Sequence, residues 1–227
     1  MKRASELFEF VRWSSSTPLI ETTWGTRSRC EDPCLSVAVC HWEMVVTRQA
    51  QRAWLTVRGP ETRATTAPVP TDAEFFGIQF SHGTFMPGLS PRRLVDGSLT
   101  FPATSPGSFW LDGTAWDLPG PDNADVFVER LVQAGLLVHD PVVPAAIHCD
   151  MVGLSTRTLQ RRVARATGLT PGMIRQIQRA QRAIGLLESG VPAMQVVRLT
   201  GYADQPHLTR SLKRLVGQTP SQIATAP

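Results

Sequence analysis

Short runs of β-branched and aromatic residues dominate the apolar pattern of the first half of the chain, whereas the second half repeats its apolar positions every three to four residues. Residues 35–46, 53–58 and 75–80 each combine Val, Ile, Thr, Trp or Phe with flanking Gly, Pro or charge, the composition of strands. Pro60, Pro68 and Pro70 punctuate the connections between them. From 81 to 123 the chain is rich in Pro and Gly, which predicts loops and a short helix leading to a linker at residues 120–123. Residues 124–138 then set Val128, Leu131, Val132 and Leu136 at helical spacing, and beyond Pro144 every periodic segment reads as helix. The expected class is a two-domain α+β chain: a mainly β domain, barrel- or sandwich-like, over 1–120 and an all-α domain over 121–227.

Two segments of the α-helical part share one plan. In the first, Gly153 suits a turn that needs positive φ, and Ser155 suits an N-cap. Leu159, Val163 and Ala166 then face a core, while Arg157, Gln160, Arg161 and Ala164 form the opposite stripe. Gly168 ends that helix and Pro171 opens the next, a long one to about Ser189 with Ile174, Ile177, Ala180, Ile184 and Leu187 on one face. Arg175, Arg179 and Arg182 occupy another face of it. The second segment repeats the plan about 50 residues on. A short helix holds Met194, Val196 and Val197, Gly201-Tyr202 makes a turn, and Asp204 caps a helix whose Leu208, Leu212 and Leu215 face inward. Gln205, His207, Arg210, Lys213 and Arg214 are left outward. A helix with an apolar back and an Arg/Gln front, set behind a short helix and a turn, suits a DNA major groove.

Charge sharpens this picture. The net charge of +4 divides into +8 over residues 141–227 and −4 over residues 1–140. Ten of the eleven basic residues in the C-terminal part are Arg, whose planar guanidinium pairs bidentately with phosphate and guanine. No apolar run reaches the roughly 18–20 residues of a membrane helix. The N-terminal stretch is interrupted by Glu6 and Glu9 and lacks the apolar core of a secretory signal, so a cytoplasmic protein is expected.

Cys30, Cys34 and Cys40 with His41 lie close in sequence, but without the paired spacing of a zinc site. Cys40 and His41 read as neighbours on one strand, whose side chains point to opposite faces. No nucleophile elbow, phosphate-binding loop or dinucleotide fingerprint is present. The expectation is a non-enzyme without metal or other cofactor. The alternative is a metal-dependent alkyl acceptor acting on DNA through the Cys30/Cys34/Cys40 cluster.

Residues 141–223 resemble the DNA-binding domain of the AraC/XylS family of bacterial transcription regulators. The likeness is carried by Leu154-Ser155, Arg157-Thr158-Leu159-Gln160-Arg161 and Thr167-Gly168-Leu169-Thr170-Pro171. It continues with Ala183 and Leu186-Leu187, then Gly201 through Arg210 and Gly217-Gln218-Thr219-Pro220-Ser221. Val197, Leu212 and Val216 depart from the family's usual choices, as do His148 and Cys149, which read as core residues. The resemblance implies seven helices with two helix-turn-helix units held apart by the long helix. Their recognition helices, at about 155–167 and 205–216, would enter successive major grooves about 34 Å apart.

On the resemblance, Thr156, Arg157, Gln160, Arg161, Gln205, Pro206, His207 and Arg210 contact bases. Arg162, Arg165, Lys213 and Arg214 are candidates for phosphate. The partners it implies are double-stranded DNA, a small-molecule effector, a second copy of the chain and, for an activator, RNA polymerase; no membrane is among them. The β part more nearly resembles a sensory domain found ahead of this module in other regulators. Its aromatics Trp13, Trp24, Trp42, Trp54, Phe80 and Trp110 are candidates to line an effector pocket, with Trp42, Trp54 and Phe80 foremost.

Overall fold

The computed structural model describes residues 8–28, 34–105, 107–148 and 153–225, which form thirteen strands and eight helices. A six-stranded antiparallel sheet organises the first half, in the order β1 (Val11–Trp13), β2 (Ile20–Arg27), β7 (Ala73–Phe80), β4 (Glu43–Gln49), β5 (Arg52–Arg58), β9 (Ser98–Thr100). Its register pairs Met44 with Ile78 and Val57, and Val46 with Phe76 and Leu55, so alternate residues stack on one face. That face is closed by a three-stranded sheet, β10 (Ala103–Ser105), β11 (Ser108–Leu111) and β12 (Thr114–Asp117), and by α2 (Ala124–Gln133). Phe109, Phe127, Val128 and Leu131 complete this core. A small ladder of β3 (Cys34–Ser36) with β6 (Thr65–Ala67) lies toward the other face.

Three expectations are revised here. Residues 35–46 are not one strand: the chain leaves the β3–β6 ladder after Ser36 and joins the six-stranded sheet only at Glu43, and Ala38 and Cys40 between them pack into the core of the α-helical half. Residues 98–117 hold four strands where loops were expected. The missed signal is Asp112-Gly113, both at positive φ (48° and 76°), the two-residue turn that joins β11 to β12. Finally, α2 stops at Gln133, before Gly135 at φ +70°, and its apolar face belongs to the β core although the sequence groups it with the C-terminal part.

The chain then adds β13 (Val138–His139) to β8 (Thr84–Phe85) and enters the helices. These are α3 (Val142–His148), α4 (Thr156–Thr167), α5 (Pro171–Glu188), α6 (Ala193–Thr200), α7 (Gln205–Val216) and α8 (Pro220–Ala224). Side-chain caps fix the starts of four of them: Ser155, Thr170, Asp204 and Thr219 each accept a first-turn N–H. Ile174, Ile177, Ala180, Ala183 and Leu187 of α5 are buried among Val163 and Ala166 of α4 and Leu208, Leu212 and Leu215 of α7. No described helix is long and apolar enough to cross a membrane.

The two halves are joined by backbone. The Ala38 N–H donates to the Leu215 carbonyl at 2.7 Å, and the Ala64 N–H to the Arg214 carbonyl at 2.9 Å. Both carbonyls lie in the last turn of α7, where no intrahelical donor reaches them. At the end of α4, Gly168 (φ +75°) abuts the short helix α1 (Pro91–Leu94), so a Cβ there would sit 2.9 Å from the Pro91 carbonyl carbon and oxygen.

Gly168→Ala is therefore expected to cost more than the about 1–2 kcal/mol of a left-handed alanine. Gly190 has the same sign of φ (+81°) with nothing within 4 Å of the position a Cβ would take, and serves as the reference. Urea unfolding of Gly168→Ala and Gly190→Ala should show the larger loss at 168; equal losses would mean that the α1 contact contributes nothing.

Candidate nucleic-acid interface

The front of α4 is determined by what its back must bury. Val163 and Ala166 are enclosed and Leu159 partly so, which turns Thr156, Arg157, Gln160 and Arg161 out to solvent. Arg157, Gln160 and Arg161 share an open groove with Thr170, Pro171 and Arg175 at the start of α5. Arg175 thus joins the first site, although the sequence pattern shows it only as one charged face of a long helix.

The second unit is built alike. Leu208, Leu212 and Leu215 are buried, leaving Gln205, Pro206 and Arg210 exposed. His207 differs from its neighbours. Its ring is half-buried and meets Tyr202 edge-on, with centroids 5.2 Å apart. Tyr202 is itself held by Ser211 (Oη to Oγ, 3.0 Å) and lies beneath the Arg179 guanidinium, 4.7 Å from the ring centre. Arg179 also donates to the Gly201 carbonyl at 3.2 Å, so the linking helix braces the turn of the second unit.

The residues proposed for phosphate differ in how they are held. Lys213 and Arg214 are exposed, and Arg214 donates to Gln176 Oε1 at 2.8 Å. Arg162 pairs through Nε with Asp140 at 3.0 Å, while the Arg165 guanidinium stands 5.6 Å over the Phe85 ring. Both contacts come from the β13 end and from β8, so this flank of α4 already faces the β half.

Of the aromatic trio in the β domain, the structure joins two and separates one. Trp42 and Phe80 stack with centroids 4.0 Å apart inside the sheet core, and Trp42 Nε1 donates to the Thr84 carbonyl. They fill that core. Trp54 lies on the opposite face, where it lines a cavity of about 200 Å³ with Trp24, Thr47, Phe75 and Arg58. Cys34 and Ala67 of the β3–β6 ladder close one side of it. Trp24 Nε1 donates to Glu43 Oε2 at 3.0 Å; burial pushes the Glu43 carboxyl up, against the opposing pull of Arg58 and this hydrogen bond. Gly77 makes room for the indole, since a Cβ there would fall 2.1 Å from it. Trp13 and Trp110 are substantially exposed and lie outside the cavity.

Cys30 and Cys149 lie outside the described residues. Cys34 faces the cavity, whereas Cys40 belongs to the helical core with Sγ 3.6 Å from His82 Nε2. Burial raises the Cys40 thiol to about 11, which makes it a poor nucleophile. Among the described residues no three of His, Cys, Asp and Glu gather in a way that would hold a metal ion.

A family model described as a helix-turn-helix domain matches residues 148–226, about a third of the chain. The chain is 31% identical over 119 residues to the HTH-type transcriptional regulator RipA of Corynebacterium glutamicum, covering 46% of this chain and 36% of that protein. It is 42% identical over 74 residues to the HTH-type transcriptional regulator VirS of Mycobacterium tuberculosis, covering 32% of this chain and 22% of that one. The chain therefore spans about a third or less of the length of these curated relatives. ToxT from Vibrio cholerae, a solved structure, aligns over 89% of this chain and 97% of its own with a TM-score of 0.45 and 12% identity.

His41 is lowered to about 4, first by burial and then by His82. The unfolded chain protonates this ring below about 6.5. Between those values the unfolded state binds more protons, so stability falls as pH drops from about 6.5 to about 4. Burial raises Glu43 and Glu61, which acts in the opposite sense, so the difference between two proteins isolates the histidine. His41→Gln should flatten the decline of Tm across this window relative to wild type; parallel curves would show that His41 titrates alike in both states.

Proposed function

Residues 148–226 are a helix-turn-helix domain of the AraC type, and on that premise we propose that the chain is a sequence-specific DNA-binding transcription regulator. The observation that carries the reading is the pairing of two exposed Arg-bearing fronts, on α4 and α7, with backs buried in one core around α5. In this reading Thr156, Arg157, Gln160 and Arg161 read bases in one major groove, and Gln205, Pro206 and Arg210 in the next. His207 contributes chiefly by packing on Tyr202. Arg175 joins Arg162, Arg165, Lys213 and Arg214 on the phosphates, where contacts position the protein without reading sequence.

The β domain acts as the effector module of this regulator. Its cavity pairs aromatic walls with one guanidinium, a suitable setting for a small molecule carrying both an apolar body and a polar group. The β3–β6 ladder that walls the cavity also touches α7. Leu35 packs against Gly217, and Ala64 bonds to the Arg214 carbonyl. A ligand that fits the cavity better in one position of that ladder would shift the balance of DNA-binding states. Trp54, not Trp42 or Phe80, is the residue of the aromatic trio placed to meet it.

Selection of random duplexes by the purified full chain should yield a motif with two half-sites about one helical turn apart. On that motif Arg161→Ala and Arg210→Ala should each weaken binding by about 1–3 kcal/mol and relax base preference in one half-site. Lys213→Ala should weaken selected and scrambled duplexes alike. Failure to enrich any sequence, or the same uniform loss from all three variants, would overturn the assignment.

A further inference from the structure

We propose that the β domain is itself part of the DNA-binding surface, and that Arg92 of α1 contacts the sugar–phosphate backbone beside the first recognition helix. The proposal rests on the reading of α4 as a DNA-facing helix and extends it to a part of the chain outside the helix-turn-helix domain. Its basis is a cleft of about 590 Å³ between α1 and α4, lined by Arg92, Arg161, Arg162, Arg165 and the hydroxyl-bearing Ser90 and Thr158.

Three features make this cleft suit a polyanion. Four guanidinium groups border it, and the segments that build it carry no carboxylate: no Asp or Glu occurs at 81–95 or 151–187. Asp140 pairs with Arg162 from the β13 end, and Asp96, just past α1, is engaged by the Thr62 N–H and hydroxyl at 2.7 Å each. The position of Arg92 is also set by backbone contact, since its N lies only 3.0 Å from where a Cβ on Gly168 would stand. The backbone of Arg92 is therefore packed against the end of α4.

The arrangement matches the shape of a groove. A helix in a major groove about 12 Å wide is bordered by one phosphate strand on each side. The α4 front is likewise bordered by two basic clefts that meet at Arg161: one leads to Arg175 on α5, the other to Arg92 on α1. The first lies wholly within the helix-turn-helix domain. The second is complete only when the β domain is docked.

Arg93, adjacent on α1 and exposed but outside the cleft, provides a control of equal charge. Binding of the full-length chain to its selected duplex and to a scrambled duplex would be measured by fluorescence anisotropy between 50 and 200 mM salt, on proteins of matched Tm. Arg92→Ala should lower affinity roughly fivefold for both duplexes and reduce the salt slope by about 0.9, the value of one lost phosphate contact. Arg93→Ala should change affinity less than about twofold, the screened effect of a remote surface charge. Equal effects of the two variants, or tighter binding by Arg92→Ala, would overturn the proposal. If Arg161→Ala weakens binding while Arg92→Ala does not, the role of α1 falls and the reading of α4 stands; if the wild-type chain binds no duplex, both fall.

Discussion

The rest of the structure depends on a grip that the β half exerts on both candidate recognition helices at their C-terminal ends. Two N–H groups from its loops, those of Ala38 and Ala64, reach the last-turn carbonyls of α7, and the backbone of α1 closes on the C-cap of α4. Carbonyls at a helix end lack intrahelical donors, and leaving them buried without partners costs about 1–3 kcal/mol each. The satisfaction of these groups thus comes from the other domain. That makes the relative placement of the halves a matter of backbone hydrogen bonding and steric contact. The fronts of α4 and α7 remain open because the grip is on their ends.

This constraint explains why the core of the α-helical half is not purely helical. Ala38, Cys40 and Phe85 from the β half are buried with Val143, Leu215 and Val216. Residues 37–42 run outside both sheets and put Ala38 and Cys40 there, which is why an apparently continuous apolar run divides into two strands of different sheets. Local composition reports strand propensity faithfully, yet it cannot report that a neighbouring domain competes for the same side chains.

Much of the helical half was legible because its signals are local. Ser155 and Asp204 at N-caps, Gly153, Gly168 and Gly201 at positive φ, and the buried stripe of α5 each follow from a few adjacent residues. The outward stripes of α4 and α7 follow from the same periodicity. What escaped the sequence is non-local. Arg175 reaches the first site because α5 starts beside α4, Arg179 is occupied with Tyr202, and Arg162 with Asp140. Six tryptophans in a chain with a β domain say that aromatic surface must be buried. They do not say on which face of the sheet, and the register of β4, β5 and β7 sends Trp42 and Phe80 to one side and Trp54 to the other. The α2 helix shows the same limit: its periodicity announces an apolar face without naming the core that receives it.

For occupancy of the cavity to matter at the proposed DNA surface, some element must touch both and differ in energy between two arrangements. The β3–β6 ladder satisfies the first condition through short contacts. Cys34 and Ala67 border the cavity, while Leu35 and Ala64, each one to three residues away, meet Gly217 and Arg214 at the end of α7. The ladder is only three residue pairs long, so it has little pairing of its own to resist displacement. By contrast, the strands beneath the cavity are fixed on both sides within a six-stranded sheet and back onto a filled core. A ligand's push would therefore be taken up by the ladder more readily than by the sheet. The route it would open leads to α7, the second candidate recognition helix, before it leads to α4.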